Sequence, residues 1–347
     1  MTIKFNNIYI KDVATVAGKI ENSGPISKYF DKTYSDFYMN EKTFEAGEVR
    51  MIEDSVSILL KKTNMKKDDI DLFISGDLIN QITPSSYAAC KLGINYVGLY
   101  AACATSCLEI ITAASYLQNR NIHNCICNVS ANNSGAERQY RNPVEYGTPK
   151  PATTTFTATG SASILVCDKE SDIRVEAATI GKVVDYGIKD VYNMGAAMAP
   201  SACYTINKHL TDLKRDISYY DLVLTGDLGK YGKSILKDLM KIEHNIDLKN
   251  YDDCGCILYD INNQNVYAGA SGPTSSGLTL SYIISNMRKK KYKRVLLVAT
   301  GALMSPTMMM QKNSIPAISH AVSLEVIWFI YIHLYFVDLY VLLDSWY

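Results

Sequence analysis

Cys103 is the residue of this chain best placed for covalent chemistry. It lies in the small-residue turn AACATS, between an apolar, strand-like run and a helical stretch that starts near Thr105. The N-terminus of a helix carries a partial positive charge, so it lowers the pKa of a thiol there and favours the nucleophilic thiolate. The sequence therefore predicts a reactive thiol at Cys103.

A second small-residue turn, SGPTSSG, starts at Ser271 and repeats the first. The segment AACATSCLEI from Ala101 aligns with SGPTSSGLTL at an offset of 170 residues, which sets Pro273 against Cys103. Small residues let a ligand approach the free backbone N–H groups of a helix N-terminus. They equally let two helices pack closely at a pseudo-twofold axis, and both interpretations stay open.

The repetition extends beyond these turns and indicates a duplicated fold. The segment DLFISGDL at Asp71 recurs as DLVLTGDL at Asp221, 150 residues later. Each copy alternates short apolar runs, typical of buried parallel strands, with segments of helical spacing. We therefore predict an α/β fold, a five-layered αβαβα sandwich of two halves related by a pseudo-twofold axis. The first half is residues 1–170, which carry Cys103, and the second is residues 171–325.

Composition excludes several classes of function. The 347 residues include 35 basic and 35 acidic side chains, so no net charge attracts nucleic acid. The nine cysteines show neither a disulfide framework nor paired CxxC zinc motifs, which favours a reducing compartment and predicts no metal site. The N-terminus lacks the apolar stretch of a secretory signal, so we do not expect secretion.

Residues 326–347 form a distinct tail that is almost entirely apolar and aromatic. A membrane-spanning helix needs about 20 such residues, so the length of this tail is marginal. His333 and Asp338 are costly in the middle of a bilayer. A frameshifted or fused gene end therefore ranks above a membrane anchor, and a buried apolar extension is a third alternative.

Further motifs resemble the thiolase superfamily, which includes the β-ketoacyl synthases. The segment FTATGSASILV from Phe156 resembles the glycine-rich strand motif of the synthases. The segment ATGALMSP from Ala299 resembles their C-terminal small-residue loop, and Cys103 stands at the position of their nucleophile. This resemblance implies a thiolase-like sandwich and a homodimer formed through a central strand.

The partners of that nucleophile are missing from the matching positions. Where the synthases have a histidine, this chain has Gly226 or Asp227, and Pro273 stands in the turn opposite Cys103. A thiol needs a base to take its proton before acyl transfer. Only His320 follows the small-residue loop closely enough to reach the site. We therefore predict no catalytic residue. The alternative is an acyltransferase in which Asp227 or His320 is an unusual base for Cys103.

Longer strings narrow the resemblance to one branch. SGDLINQITPSSYAA, ERQYRNPVEYGTPKP, MGAAMAPSA and VATGALMSPT resemble the stage V sporulation protein AD family, from about Asn7 to about Glu325. The resemblance implies a non-catalytic protein that binds dipicolinic acid (pyridine-2,6-dicarboxylate), alone or with calcium, and has no cofactor. It also implies that the protein works with other stage V sporulation A membrane proteins in dipicolinate uptake or release. Its expected place is the cytoplasmic side of the inner spore membrane, held peripherally.

In the resembled fold both small-residue turns face one pocket, which gives a hypothesis for ligand binding. Each helix N-terminus receives one carboxylate of dipicolinate, and nearby hydroxyl groups add hydrogen-bond donors. The expected ligand-binding residues are Cys103, Thr105, Ser106, Ser130, Met198, Asp227, Pro273, Thr274, Ser275 and His320.

A purely structural partner that nucleates a membrane complex is a third functional hypothesis. The charged cluster of Glu137, Arg138, Arg141 and Glu145 bears on it. We expect this cluster to be an ion-paired loop at the pocket lid or at the dimer face. Surface ion pairs of this kind contribute little to stability.

Overall fold

The computed structural model describes residues 1–327. The strands within them are β1 (Thr2–Lys4), β2 (Tyr9–Ala17), β3 (Lys32–Thr33), β4 (Leu72–Gly76), β5 (Tyr96–Gly98), β6 (Asn124–Ala131), β7 (Phe156–Thr157), β8 (Gly160–Cys167), β9 (Ile173–Ile180), β10 (Leu222–Thr225), β11 (Tyr251–Asp253), β12 (Ala270–Ser271), β13 (Arg294–Ala302) and β14 (Ala317–Val326). The α-helices are α1 (Phe44–Thr63), α2 (Thr83–Leu92), α3 (Thr105–Tyr116), α4 (Asn133–Tyr140), α5 (Met194–Leu213), α6 (Gly229–His244), α7 (Cys254–Leu258), α8 (Pro273–Arg288) and α9 (Pro306–Met310).

Two groups of five strands have the same order and the same strand directions. The first group runs β5-β4-β6-β8-β2, and the second runs β11-β10-β13-β14-β9. In both groups the first three strands are parallel, and the next two pairings are antiparallel. β2 and β9 pair over two residues each and join the groups. This topology confirms the predicted αβαβα class and its internal duplication.

Helices α3 and α8 form the central layer of the sandwich. α3 packs on β13 and β14 of the second group as well as on β6, whereas α8 packs on β2, β6 and β8 of the first. Helices α1 and α5 cover the two outer faces. Because α3 and α8 touch sheet on both sides, they bury residues on nearly every face, as Ile110, Ile111, Ile283 and Ile284 illustrate. The small residues at the start of both helices allow this close approach.

The C-terminal end of the described chain belongs to the second sheet group. Val326, the first residue of the predicted tail, is the last residue of β14 and pairs with Ile173 of β9. Residues 1–327 contain no helix of the length and apolar character needed to cross a membrane. The rest of the predicted tail, from Trp328, lies outside the described residues.

Candidate functional site

A cavity lies beside Cys103, where the first turn of α3, the end of α4 and the start of α8 come together. It encloses about 390 Å³ with its open mouth, of which about 30 Å³ can hold the centre of a water molecule. We call it the Cys103 cavity. Its walls are Leu78, Tyr100, Ala102, Cys103, Ala136, Tyr140, Arg141, Thr157, Met194, Ser271, Gly272, Ala302 and Met304.

The turn before α3 presents Cys103 to this cavity. Ala102 has φ 48°, a left-handed backbone conformation that residues with a side chain seldom adopt. Cys103 is buried, and desolvation followed by the nearby Asp227 carboxyl group raises the pKa of its thiol well above the ordinary value. The expectation of an activated thiolate is therefore wrong. Burial outweighs the helix dipole, and Cys103 is a neutral thiol.

Asp227 supports Cys103 from behind the cavity wall. Its Oδ2 accepts a hydrogen bond from Gly272 N–H at 3.1 Å, and its Oδ1 accepts one from Thr300 Oγ1 at 2.6 Å. The carboxyl group also interacts with the Cys103 side chain. Complete burial raises the pKa of Asp227 to about 7. Near neutral pH this group can therefore either give or take a proton beside the thiol.

Arg141 follows α4 directly and is held by Glu137, one helical turn earlier. Arg141 Nε donates to Glu137 Oε2 at 3.0 Å, and Nη2 donates to Glu137 Oε1. Lys150 Nζ donates to the same Glu137 Oε2 at 3.0 Å. The side chains of Arg141 and Glu137 are only 4% and 0% exposed. The expectation of a surface ion pair is therefore wrong at these two positions, because this pair is part of the cavity wall.

One nitrogen of this guanidinium group has no partner. Arg141 Nη1 is buried without a hydrogen bond, and so is Ser271 Oγ on the strand before α8. Both residues line the Cys103 cavity. A buried donor without a partner costs about 1–3 kcal/mol. A carboxylate is the group that a guanidinium fork binds best, so an anion is the kind of ligand that these two unpartnered groups suit.

The other two members of the predicted charged cluster lie elsewhere. Arg138 forms an ion pair with Glu45 near the protein surface, where its side chain is half-exposed. Glu145 is exposed and contributes to a different cavity, described below. The cluster is therefore divided between the Cys103 cavity and the surface.

The four hydroxyl groups that we predicted as ligand donors are engaged within the protein. Ser106 Oγ lies 2.6 Å from Ser276 Oγ, so the two copies of the repeat meet through equivalent side chains. This contact favours the interpretation of tight helix packing at the pseudo-twofold axis. The remaining three donate to backbone carbonyl oxygens, Thr105 to Ala102, Thr274 to Ala158 and Ser275 to Gly226.

Four further predicted residues also lie outside the cavity walls. Ser130 donates to a buried carboxylate of α1 at 2.7 Å, and Met198 belongs to the core beneath α5. Pro273 begins α8 and is buried. His320 on β14 accepts from Gly181 N–H at 3.3 Å, and burial lowers its pKa to about 4. Of the ten predicted residues, the structure therefore brings Cys103 to the wall and Asp227 directly behind it.

Sequence reasoning missed most of the wall. Tyr100 and Tyr140 lie at the cavity, with their hydroxyl groups 3.0 Å apart, and Met194 begins α5 there. The spacing of Glu137 and Arg141, four residues apart, indicates a helical ion pair but gives no sign of burial. Aromatic residues after a short strand form no distinctive sequence pattern, so the sequence does not indicate that Tyr100 lines a cavity.

The described part of the chain offers one group of side chains that could hold a metal ion. It consists of Cys203, Glu243 and His244, on helices α5 and α6. None of these residues lines the Cys103 cavity. Among the described residues that form the cavity wall there is also no histidine. The chemistry at hand there is a neutral thiol, a buried carboxyl group and a guanidinium group that can bind an anion.

Solved structures of the thiolase fold resemble this architecture over nearly the whole chain. The 3-oxoacyl-[acyl-carrier-protein] synthase III of Aquifex aeolicus VF5 has a TM-score of 0.57 at 12% identity, covering 92% of this chain and 99% of that one. Acetamide-bound OleA of Xanthomonas campestris has a TM-score of 0.61 at 14% identity, covering 93% and 100%. At such low identity these similarities concern the fold alone.

Sequence comparison identifies a much nearer group. A family model described as stage V sporulation protein AD (SpoVAD) matches residues 1–325. The stage V sporulation protein AD of Bacillus subtilis (strain 168) is 42% identical over 319 residues, which are 92% of this chain and 94% of that protein. These two matches establish that the chain belongs to the stage V sporulation protein AD family.

Proposed function

We propose that this protein acts in sporulation and binds dipicolinate in the Cys103 cavity, without catalysing a reaction. The single observation that carries the proposal is the buried, unpartnered Nη1 of Arg141 at the cavity wall. Ser271 Oγ supplies a second free polar group. Charge-assisted hydrogen bonds from a guanidinium group to a carboxylate are among the strongest in proteins. The calcium chelate of dipicolinate is the other form of the ligand.

This proposal replaces the two-turn model of binding. One carboxylate of the ligand binds Arg141 and Ser271, and the second points towards the mouth. Cys103 suits an anionic ligand because its raised pKa keeps the thiol neutral. A thiolate at this position would repel the two ligand carboxylates. At a partly buried site this repulsion would cost several kcal/mol, on the order of the Coulomb energy of two like charges in close contact.

Binding requires the mouth of the cavity to open. The space for water centres, about 30 Å³, holds few atoms, whereas dipicolinate has an aromatic ring and two carboxylates. Tyr100 and Tyr140 are joined by a hydrogen bond of 3.0 Å, and Tyr100 is 46% exposed. We assign these two tyrosines as the part of the wall that moves.

An acyltransferase is the second candidate, and the contact between Asp227 and Cys103 favours it. A carboxylate with a pKa of about 7 can accept a proton from a neighbouring thiol. The same carboxylate raises the pKa of the thiol, which opposes formation of the nucleophile. We therefore expect no acyl transfer from acetyl- or malonyl-thioesters. Turnover that disappears in Cys103→Ala would establish the enzyme instead.

The proposed cellular role follows the family. We propose a homodimer that lies peripherally on the inner spore membrane, faces the cytoplasm and works with the other stage V sporulation A membrane proteins. It takes part in dipicolinate uptake or release. A structural role in nucleating that complex, without ligand binding, is the alternative, and titration of the wild-type protein with dipicolinate separates the two.

The test is calorimetric titration with dipicolinate, with and without calcium. Arg141→Lys keeps a positive charge beside Glu137 but loses the second planar donor, so its affinity should fall at least about tenfold, or about 1.4 kcal/mol. Arg138→Lys changes the same residue type at the surface and should bind like the wild type. Pyridine-2-carboxylate, with one acid group, should bind more weakly than the diacid.

The thermal midpoint of each variant separates loss of binding from loss of folding. A folded Arg141→Lys protein that binds dipicolinate as tightly as the wild type would contradict the proposed site. If the wild-type protein does not bind dipicolinate at all, the structural-partner hypothesis stands in its place.

A further inference from the structure

A second and roomier cavity lies on the other side of α4. It encloses about 930 Å³ with its mouth, of which about 380 Å³ can hold water centres, far more than the Cys103 cavity offers. We call it the aromatic cavity. Its wall includes two charged side chains and four aromatic ones: Lys19, Glu21, Phe37, Tyr38, Phe44 and Phe156.

Glu21 is a buried acid in the wall of this cavity, and one of its two carboxyl oxygens has no partner. Its residue is 1% exposed. Oε1 accepts a hydrogen bond from Tyr259 Oη and another from Thr159 N–H at 3.0 Å. Oε2 has no hydrogen-bond partner. A buried carboxylate without a cation is costly, and burial raises the pKa of Glu21 above its ordinary value.

The walls around this acid are aromatic and apolar. The rings of Tyr38 and Phe44 stack with their centroids 4.5 Å apart and their planes 9° apart. Phe37 is half-exposed at the mouth, and the ammonium group of Lys19 lies 5.1 Å from the centre of its ring. The mouth therefore already holds one organic cation against an aromatic face, an arrangement favoured by the ring quadrupole.

Two other polar side chains of the wall are engaged within the protein. Asn132 Oδ1 accepts from the N–H groups of Ser134 and Gly135 at the start of α4. Asn133 donates its side-chain N–H to Thr157 O at 3.0 Å. Among the described residues of this wall, Glu21 Oε2 is the one buried side-chain polar atom without a hydrogen-bond partner.

We propose that the aromatic cavity binds a small organic ammonium ion with an apolar body. The ammonium group pairs with Glu21 Oε2, and the body fills the space between the aromatic walls. A cation satisfies the free oxygen and neutralises the buried charge together, whereas a hydroxyl group does only the first. Aromatic rings near a carboxylate are the surroundings in which proteins hold organic ammonium groups.

The aromatic cavity and the Cys103 cavity share a wall but differ in charge. Asn133 and Ser134 at the start of α4 face the aromatic cavity, while Tyr140 at its end faces the Cys103 cavity. On β7, Phe156 lines one cavity and Thr157 the other, since neighbouring side chains of a strand point to opposite faces. Arg141 has one unpartnered donor nitrogen at the first cavity, whereas Glu21 has one unpartnered acceptor oxygen at the second.

The experiment compares three ligands of the same shape, phenylpropylamine, phenylpropanol and phenylpropanoate, by calorimetric titration of the full chain at neutral pH. The amine should bind at least about tenfold more tightly than the alcohol, and the carboxylate should bind most weakly. Glu21→Gln should abolish the preference for the amine. It keeps an Oε1 acceptor for Tyr259 and Thr159, so the local hydrogen bonds survive.

Two controls locate the site. Glu145→Gln removes an exposed carboxylate at the same mouth and should keep the preference for the amine. Arg141→Lys alters the Cys103 cavity and should also keep it, so this test does not depend on dipicolinate binding. Equal affinity for amine and alcohol, no binding of the amine to the folded wild type, or an unchanged preference in Glu21→Gln would each overturn the proposal.

Discussion

The two halves of the molecule place an aspartate at the same point, just after the strand next to the sheet edge, yet use it differently. Asp77, after β4, accepts hydrogen bonds from Ile79 N–H at 2.8 Å and from Ser85 N–H and Oγ at 2.9 and 2.7 Å. It therefore fixes the start of α2 to the sheet. Asp227, its counterpart after β10, instead bonds Gly272 N–H and Thr300 and lies against the Cys103 thiol.

Another acid replaces Asp227 at the start of α6. Asp253, at the end of β11, accepts from Leu228 N–H at 2.9 Å, Gly229 N–H at 3.0 Å and Thr225 Oγ1 at 2.6 Å. The corresponding edge strand of the first half, β5, ends at Gly98 and has no such side chain. Moving the helix-anchoring acid to the edge strand leaves Asp227 available to the candidate site.

The largest expected effect is the loss of either helix-anchoring acid. Asp253→Ala leaves the buried N–H groups of Leu228 and Gly229 without acceptors. Asp77→Ala does the same to the buried N–H of Ser85 and the half-buried N–H of Ile79. Each unsatisfied donor costs about 1–3 kcal/mol, so the free energy of unfolding should fall by about 3 kcal/mol in both variants. Chemical denaturation measures this change.

Asp252→Ala is the matched control for that prediction. Asp252 is adjacent to Asp253, but its side chain is 40% exposed and pairs with Lys233. An exposed pair contributes about 0–1 kcal/mol, so this substitution should have a small effect. If Asp252→Ala were as destabilising as Asp253→Ala, the assignment of helix anchoring to Asp253 would be wrong.

The second prediction concerns the pH dependence that Asp227 adds. Its pKa is about 7 in the folded protein, above the ordinary value of 3.8. Between these values the folded state holds a proton that the unfolded state has lost, so stability falls as the pH rises. From pH 5.5 to 7 this amounts to between about 1 and 2 kcal/mol, because the slope of about 1.4 kcal/mol for each pH unit weakens as Asp227 ionises near its pKa of about 7.

Asp227→Asn should remove the contribution of Asp227 to the pH dependence of stability and leave the contributions of the other titrating groups unchanged. Denaturation curves at pH 5.5 and 7 give the change in the free energy of unfolding between the two pH values for each protein. The wild-type change minus the variant change is the contribution of Asp227. His209 and His320, whose pKa values burial lowers to about 4, act in the opposite direction in both proteins and cancel. Identical pH dependence in the two proteins would mean that Asp227 is already ionised at pH 5.5.

The third prediction is that Asp227→Asn makes Cys103 more reactive. The Asp227 carboxylate raises the pKa of the thiol, so its removal increases the thiolate fraction. Alkylation by iodoacetamide at mildly alkaline pH should be about tenfold faster, equivalent to one pKa unit. Peptide mass spectrometry separates this reaction from that of the exposed Cys90. An unchanged rate at Cys103 would indicate that access, not the pKa, limits alkylation.

The sequence was sufficient for the fold but only partly for the site. The repeats at Asp71 and Asp221 predict two related halves, because buried parallel strands leave short apolar runs that can be aligned. Cys103 was found because a cysteine in a small-residue turn is distinctive. The hydroxyl groups of Thr105 and Ser275 failed as ligand donors, since a turn satisfies its own carbonyl oxygens and no sequence pattern reveals that.

Arg141 shows why the other residues of the site could not be predicted from the sequence. Its sequence neighbourhood predicts a helical ion pair with Glu137, and that pair exists. Its burial depends on the packing of segments farther along the chain: Arg141 Nη2 donates to Thr155 O at 3.4 Å, and Ser271 of β12 lies in the same cavity wall. A free guanidinium nitrogen is a property of the packed molecule, so it became visible only in the structure.

The smallest expected effect is that of Ser106→Ala at the pseudo-twofold axis, where Ser106 and Ser276 join the halves. Ser276 Oγ donates to Pro273 O at 3.0 Å, so in the shared bond of 2.6 Å Ser106 is the donor. Ser276→Ala therefore leaves the buried Ser106 hydroxyl without an acceptor, which costs about 1–3 kcal/mol. Ser106→Ala removes one hydrogen bond, worth about 1 kcal/mol, and leaves every remaining donor with an acceptor. Equivalent positions should thus respond unequally. The double variant should cost less than the sum of the two, because removing both hydroxyl groups leaves neither unpaired. Equal single losses that add in the double variant would mean that the two hydroxyl groups do not interact.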